Sequence, residues 1–177
     1  MGEYRTLSSK PIYSGVCVSL RVDDVQLPSG QQTKREVVEH CGAVAIVALD
    51  PTGHILLEKQ FRHATGKKLF EIPAGCIDPN ETPEEAAKRE LQEETGLCPG
   101  KLERLGGFYS APGFSNEYLH LFLATELFMS PLTAEDTEEI SVIKVSSLDA
   151  IEMLRRGDIE DAKSIAGLLY YFKFKGD

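Results

Sequence analysis

A chain of 177 residues with 42% hydrophobic content can bury the core of one domain with a small extension, and its formal net charge of −9 leaves no basic stripe for a nucleic-acid polymer to follow. A small anionic ligand stays open, because a bound cation and a few Arg or Lys residues would meet its charge locally. No apolar run approaches the ~20 residues that span a bilayer, and the opening MGEYRTLSSK lacks the apolar core of a secretion signal. Cys17, Cys41, Cys76 and Cys98 show neither CxxC spacing nor histidines at ligand intervals. The expectation is a cytoplasmic protein, away from membranes, with reduced thiols and no zinc site.

In chain order, residues 16–25 and 33–39 flank Pro28-Ser29-Gly30 and predict a hairpin of two amphipathic strands. Val16, Val18, Leu20 and Val22 alternate with Cys17, Ser19 and Arg21, an apolar face that two strands cannot bury alone. Either the chain's own core or a second copy must cover it. Residues 42–49 are apolar enough for a central strand, followed by the turn Asp50-Pro51-Thr52-Gly53 and a strand over 54–60. Further along, 101–109 and 117–126 read as strands bracketing the loop 110–116, and 140–145 as a last strand. Helical spacing over 147–156 and 161–174, the latter through Ile165, Leu168, Leu169 and Phe172, closes the chain. Mixed strands with helices packed on them make an α/β or α+β sandwich.

Between these strands, residues 75–97 read GCIDPNETPEEAAKRELQEETGL. Thr82, Pro83 and Glu85 combine an N-cap, a first-turn proline and a capping-box acid, and Gly96 can close the helix in the left-handed conformation. At about 100° per residue, Glu90, Glu93 and Glu94 fall within an arc of roughly 100°, and the Glu90/Glu94 pair weakens a bare helix. Ala86 and Ala87 share that side, whereas Glu85, Lys88 and Gln92 lie opposite, so the three acids do not belong to the ordinary solvated face. A divalent cation of the Mg²⁺ or Mn²⁺ type, bound by hard oxygen ligands, is the simplest remedy. Arg89 lies beside the cluster and can pair with Glu93 or Glu81. The run from Gly75 through Glu81, Arg89-Glu90-Leu91 and Glu93-Glu94 to Gly96-Leu97 arises by chance on the order of once in 10⁹ starting positions.

That spacing reproduces the signature of the Nudix hydrolases without a departure, and the chain resembles this family from about Cys41 to its C-terminus. It is similar in particular to the ADP-ribose and nucleoside-diphosphate-sugar pyrophosphatases. Three features carry this closer likeness: Glu58-Lys59-Gln60-Phe61-Arg62 leading into Phe70-Glu71-Ile72-Pro73-Ala74-Gly75, Pro112 sixteen residues after Gly96, and the N-terminal hairpin. The resemblance implies an α/β/α sandwich around a mixed sheet in residues 41–177, with a small N-terminal antiparallel β extension in residues 1–40 that dimerises. It favours a homodimer whose hairpin contributes to the partner's pocket.

The implied chemistry is metal-dependent hydrolysis of the diphosphate of ADP-ribose or a related nucleoside diphosphate sugar, giving a nucleoside monophosphate and a sugar phosphate. The alternatives are another nucleoside diphosphate derivative, such as a dinucleotide, coenzyme A or a nucleoside triphosphate, or a non-catalytic ADP-ribose-binding regulator. By the same resemblance, Glu90 and Glu94 are metal ligands, Glu93 a ligand or a metal-water partner, and the Ala74 carbonyl a further ligand, with Arg89 orienting a carboxylate. A late acidic run, Glu135-Asp136-Thr137-Glu138-Glu139, supplies a base or a further ligand, Glu139 ahead of Glu138. Arg62 is the candidate phosphate contact because its fork matches phosphate oxygens. Glu71 and Glu117 are sugar or metal-water contacts, or else structural or surface residues, and Pro112 with Phe114 sets selectivity. The chain has no Trp, so a base would stack on Tyr4, Tyr13, a Phe or an Arg plane.

Overall fold

A computed structural model describes residues 3–132 and 140–175, which leaves Glu138 and Glu139 outside the described residues. The chain divides into two units, one from the residues up to Gly42 with Tyr109–Tyr118, the other from Ala43–Phe108 and the residues from Leu119 onward. Residues 109–118, which the sequence places in the larger domain, thus cluster with the N-terminal strands.

The first unit holds β1 (Arg5–Ser14), β2 (Ser19–Gln26) and β3 (Gln32–Glu39) in one antiparallel sheet of that order. The predicted hairpin is β2–β3, closed by a turn in which Gly30 sits at φ 86° and donates to the Leu27 carbonyl at 2.8 Å. β1 is an addition. Its ten residues are all exposed and include Pro11, so it pairs through its backbone and leaves no apolar alternation to read. β2 also starts later than expected, since residues 15–18 form a turn with Gly15 donating to the Val18 carbonyl at 2.9 Å. Val16 and Val18 are therefore exposed, and the buried positions are Asp23 and Val25. Arg21 donates to both oxygens of Asp23 at 3.1 Å and to Glu39, so the more buried face of β2 is the one opposite Leu20 and Val22, and it carries an ion pair beside Val25.

The segment 109–118 docks on β3 through Val38 N–H to the Phe114 carbonyl at 2.7 Å and Asn116 N–H to the Val38 carbonyl at 3.2 Å. Strand pairing also brings together thiols that sequence spacing separates: Cys17 and Cys41 each lie 3.9 Å from a ring nitrogen of His40.

The second unit contains β4 (Ala43–Leu49), β5 (Ile55–Arg62), β6 (Lys67–Glu71), β7 (Ala74–Cys76), α1 (Pro83–Thr95), β8 (Leu97–Tyr109), β9 (Tyr118–Met129), β10 (Ser141–Val145), α2 (Ser147–Arg156) and α3 (Ala162–Phe174). Its sheet runs β10-β5-β4-β9-β8, with β6 on β5 and β7 on β4. β4 and β9 are parallel, while β4 meets β5 and β7 antiparallel, which makes the sheet mixed. β6 and β7 were not anticipated, because strands of five and three residues carry too few positions for a period to show.

β4 has no polar side chain because both its faces are covered. Ala43, Ala45 and Val47 pack with Ala150, Met153 and Leu168 of α2 and α3. Val44, Ile46 and Ala48 pack with Ala86, Ala87 and Leu91 of α1. The unit is thus an α/β/α sandwich. Each fully buried Ile or Leu contributes about 1.5–3 kcal/mol.

α3 approaches the sheet closely at Gly167, where an added Cβ would lie 2.7 Å from Ile72 Cδ1 and 3.1 Å from Leu121 Cδ1. Gly167→Val is expected to destabilise the protein by about 1–3 kcal/mol through overpacking, read as a lower denaturant midpoint at unchanged slope.

Candidate metal centre

α1 begins where its caps dictate. Thr82 accepts from Glu85 N–H at 3.3 Å while the Glu85 carboxylate accepts from Thr82 N–H at 2.8 Å, Pro83 takes the first turn, and Gly96 closes the helix at φ 74°. Ala86, Ala87 and Leu91 are fully buried against the sheet. Glu90 and Glu94, three or four residues further along, continue that side and are drawn inward with it.

β7 supplies the other wall. It lies along the start of β4, pairing Ala45 with Ala74 and Val44 with Gly75. A Cβ on Gly75 would stand 2.0 Å from the Glu90 carboxyl carbon, so a side chain there would displace that carboxylate from its place against β7. Ala74 N–H donates to Glu94 Oε2 at 3.0 Å, which brings the two predicted ligand positions, Ala74 and Glu94, into direct contact.

Arg89 resolves the choice between Glu81 and Glu93 by holding both. It grips Glu81 with two bonds of 2.9 Å, donates to Glu90 at 2.7 Å and to Glu93 at 3.2 Å, and reaches the Cys76 carbonyl at 2.9 Å. Hydrogen bonding to Glu81 comes first among the causes that raise the guanidinium pKa, so it stays charged. The same bond lowers the Glu81 pKa. Glu90 shows the reverse balance: burial raises its pKa despite Arg89.

Glu58 is the residue that the sequence did not single out for the site. It sits on β5 at 2% exposure, close enough to Glu94 for the two carboxyl groups to interact directly. Burial pushes both pKa values up, and their mutual proximity adds to the shift on Glu94. Oε1 of Glu58 is buried with no hydrogen-bond partner among the described residues. Its one signal in the sequence is an acid following the apolar residues Ile55-Leu56-Leu57.

Carboxylates crowded around a buried, orphaned oxygen are stable only if protonated or met by a cation. The donor set is all oxygen, from Glu90, Glu93, Glu94 and the Ala74 backbone, with Glu58 behind them. It fits a hard divalent ion.

The proposed substrate contacts fall in different places. Arg62 donates to both oxygens of Glu71 at 2.8 Å, and Lys163 of α3 also bonds Glu71 and Asp161. Burial works to raise the Glu71 pKa, but Arg62 and Lys163 outweigh it and hold it low. Glu71 is therefore a braced buried carboxylate. Pro112, Phe114 and Glu117 belong to the other unit. Phe114 is exposed, Phe114 N–H and Ser115 N–H close a turn onto the Ala111 carbonyl at 3.1 and 2.9 Å, and Glu117 lies 3.8 Å from His40 Nδ1.

Because Glu58, Glu90 and Glu94 carry raised pKa values, the folded metal-free protein retains protons that the unfolded chain has released. Stability from this source is complete below the ordinary Glu value and is lost as pH rises through the raised ones. Metal-free protein is expected to melt at falling temperature as pH rises from the carboxylate range through neutrality, and saturating Mg²⁺ should flatten the decline. Melting curves across pH with chelator or Mg²⁺ would check this; a flat metal-free profile would contradict it.

Comparison with known proteins agrees with this geometry. The family model described as the NUDIX domain matches residues 21–168. The chain is 40% identical over 170 residues to an ADP-ribose pyrophosphatase of Bacillus subtilis, covering 95% of this chain and 92% of that protein. It is 37% identical, at the same coverages, to a methanol dehydrogenase activator of Bacillus methanolicus. Among solved structures, an ADP compounds hydrolase superposes with a TM-score of 0.87 over 99% of this chain and 97% of that one, at 22% identity, which shows a shared fold. With its motif intact and these matches spanning most of its length, the chain belongs to the Nudix hydrolase family, whose members generally need divalent metal ions.

Proposed function

We propose that this protein hydrolyses the diphosphate linkage of ADP-ribose, or of a related nucleoside diphosphate sugar, to a nucleoside monophosphate and a sugar phosphate, using Mg²⁺ or Mn²⁺ in the cytoplasm. The observation that carries the reading is the partly buried carboxylate cluster of Glu90 and Glu94 on α1, braced by Arg89 against β7. The 40% identity to an ADP-ribose pyrophosphatase supports the substrate class.

A diphosphate resists attack because its negative charge repels a nucleophile. The bound metal would neutralise that charge, activate a water and stabilise the leaving phosphate. Glu90, Glu93, Glu94 and the Ala74 carbonyl would hold it. Arg89 keeps Glu90 and Glu93 in place, and the Ala74 N–H fixes one oxygen of Glu94. Arg62, its plane set by two hydrogen bonds to Glu71, is the phosphate contact in this reading. Pro112 and Phe114 tune the choice of sugar nucleotide, Glu117 contacts sugar or metal-bound water, and Glu139 or Glu138 serves as base.

The bond cleaved decides the reading. Hydrolysis of ADP-ribose in ¹⁸O-water with Mg²⁺ should place the label on a phosphate product. Label on a ribose carbon would mean glycosidic chemistry, and absence of turnover across a panel of nucleoside diphosphate sugars would end the proposal.

The protein acts as a homodimer in this reading, with the N-terminal sheet contributing to the partner's pocket. β1 is an outer strand whose Leu7, Ile12 and Tyr13 are exposed, a template for further pairing. Light scattering should give twice the chain mass at micromolar concentration, and a fully active monomer would refute the shared pocket.

A further inference from the structure

Glu58 and Glu71 stand directly opposite each other on β5 and β6, yet the fold treats them differently. Glu71 receives Arg62 and Lys163. Among the described residues no Arg or Lys forms an ion pair with Glu58, which is 98% buried and faces Glu94 with its Oε1 lacking any donor. Glu71 shows how this unit satisfies a buried carboxylate with cations of its own. Glu58 is left with its charge directed at the carboxylate cluster of α1.

We propose that Glu58 is a positioning residue of the divalent-metal centre, set behind Glu94 and accepting hydrogen bonds from water on the ion. Mg²⁺ and Mn²⁺ usually retain several waters, and such waters need acceptors. Acidic partners behind the direct ligands typically change metal affinity by about 10–100-fold when removed. The inference rests on the metal-dependent reading above and extends its donor set to a strand outside the motif.

Mn²⁺ binding to the substrate-free protein tests it, with unbound Mn²⁺ read by electron paramagnetic resonance and melting temperatures recorded without metal. Glu58→Gln keeps the shape of the side chain and removes its charge. Its Mn²⁺ Kd should rise about tenfold or more, with metal-free melting unchanged or higher because a neutral amide leaves no ionisable group to bury there. Glu58→Asp should recover most of the affinity. A Glu58→Gln Kd within threefold of wild type would overturn the assignment. So would a loss of metal-free stability large enough to account for weaker binding, which would make Glu58 a part of the fold alone. Wild-type protein that takes up no Mn²⁺ would overturn the metal-dependent reading itself, and Glu58's role with it.

Discussion

Like charge confined in a small buried volume is the constraint on which the larger unit depends. Glu58 is buried and Glu90 and Glu94 are partly buried, and isolated charges taken out of solvent are costly to keep. The structure answers in two ways. Arg89 supplies one fixed positive charge shared among Glu81, Glu90 and Glu93, and the Ala74 N–H supplies a dipole to Glu94. Neither reaches Oε1 of Glu58. What stays uncompensated is a local demand for a cation, and that demand is what the proposed function uses.

Holding acids inward requires apolar burial close by. Ala86, Ala87 and Leu91 anchor α1 on β4, and the turn periodicity of the helix carries Glu90 and Glu94 inward with them. Along one edge, β4 is shared by two partners: β7 pairs its first residues and β5 its last, with the Pro73 carbonyl accepting from Ile46 N–H at 2.8 Å between them. This split edge lets the backbone at Ala74 and Gly75 meet the helix. A side chain at Gly75 would close the gap that Glu90 occupies.

The neighbouring cations show a second use of charge. Arg62 and Lys163 come from β5 and α3 and converge on Glu71, tying the end of β6 to the start of α3. Ser164 adds to the same junction by donating from its hydroxyl to Asp161 and accepting from Ile72 N–H at 2.8 Å. A buried carboxylate with two cations is costly to disturb.

The sequence by itself determined the motif helix, its caps and its acidic side, because capping and the 3.6-residue period act between residues a few positions apart. It likewise determined β4 as a central strand and both C-terminal helices, where apolar spacing is unambiguous. Tertiary structure decided which distant residues complete the site. Glu58 reaches Glu94, and Lys163 reaches Glu71, only through the pairing of β5 with β4 and β6 and the seating of α3. A one-residue slip in such pairing would turn each side chain to the opposite face. β1 and the docking of residues 109–118 on β3 were hidden for a related reason: they are made by backbone hydrogen bonds, which every residue but proline can donate and which leave no mark in the order of side chains.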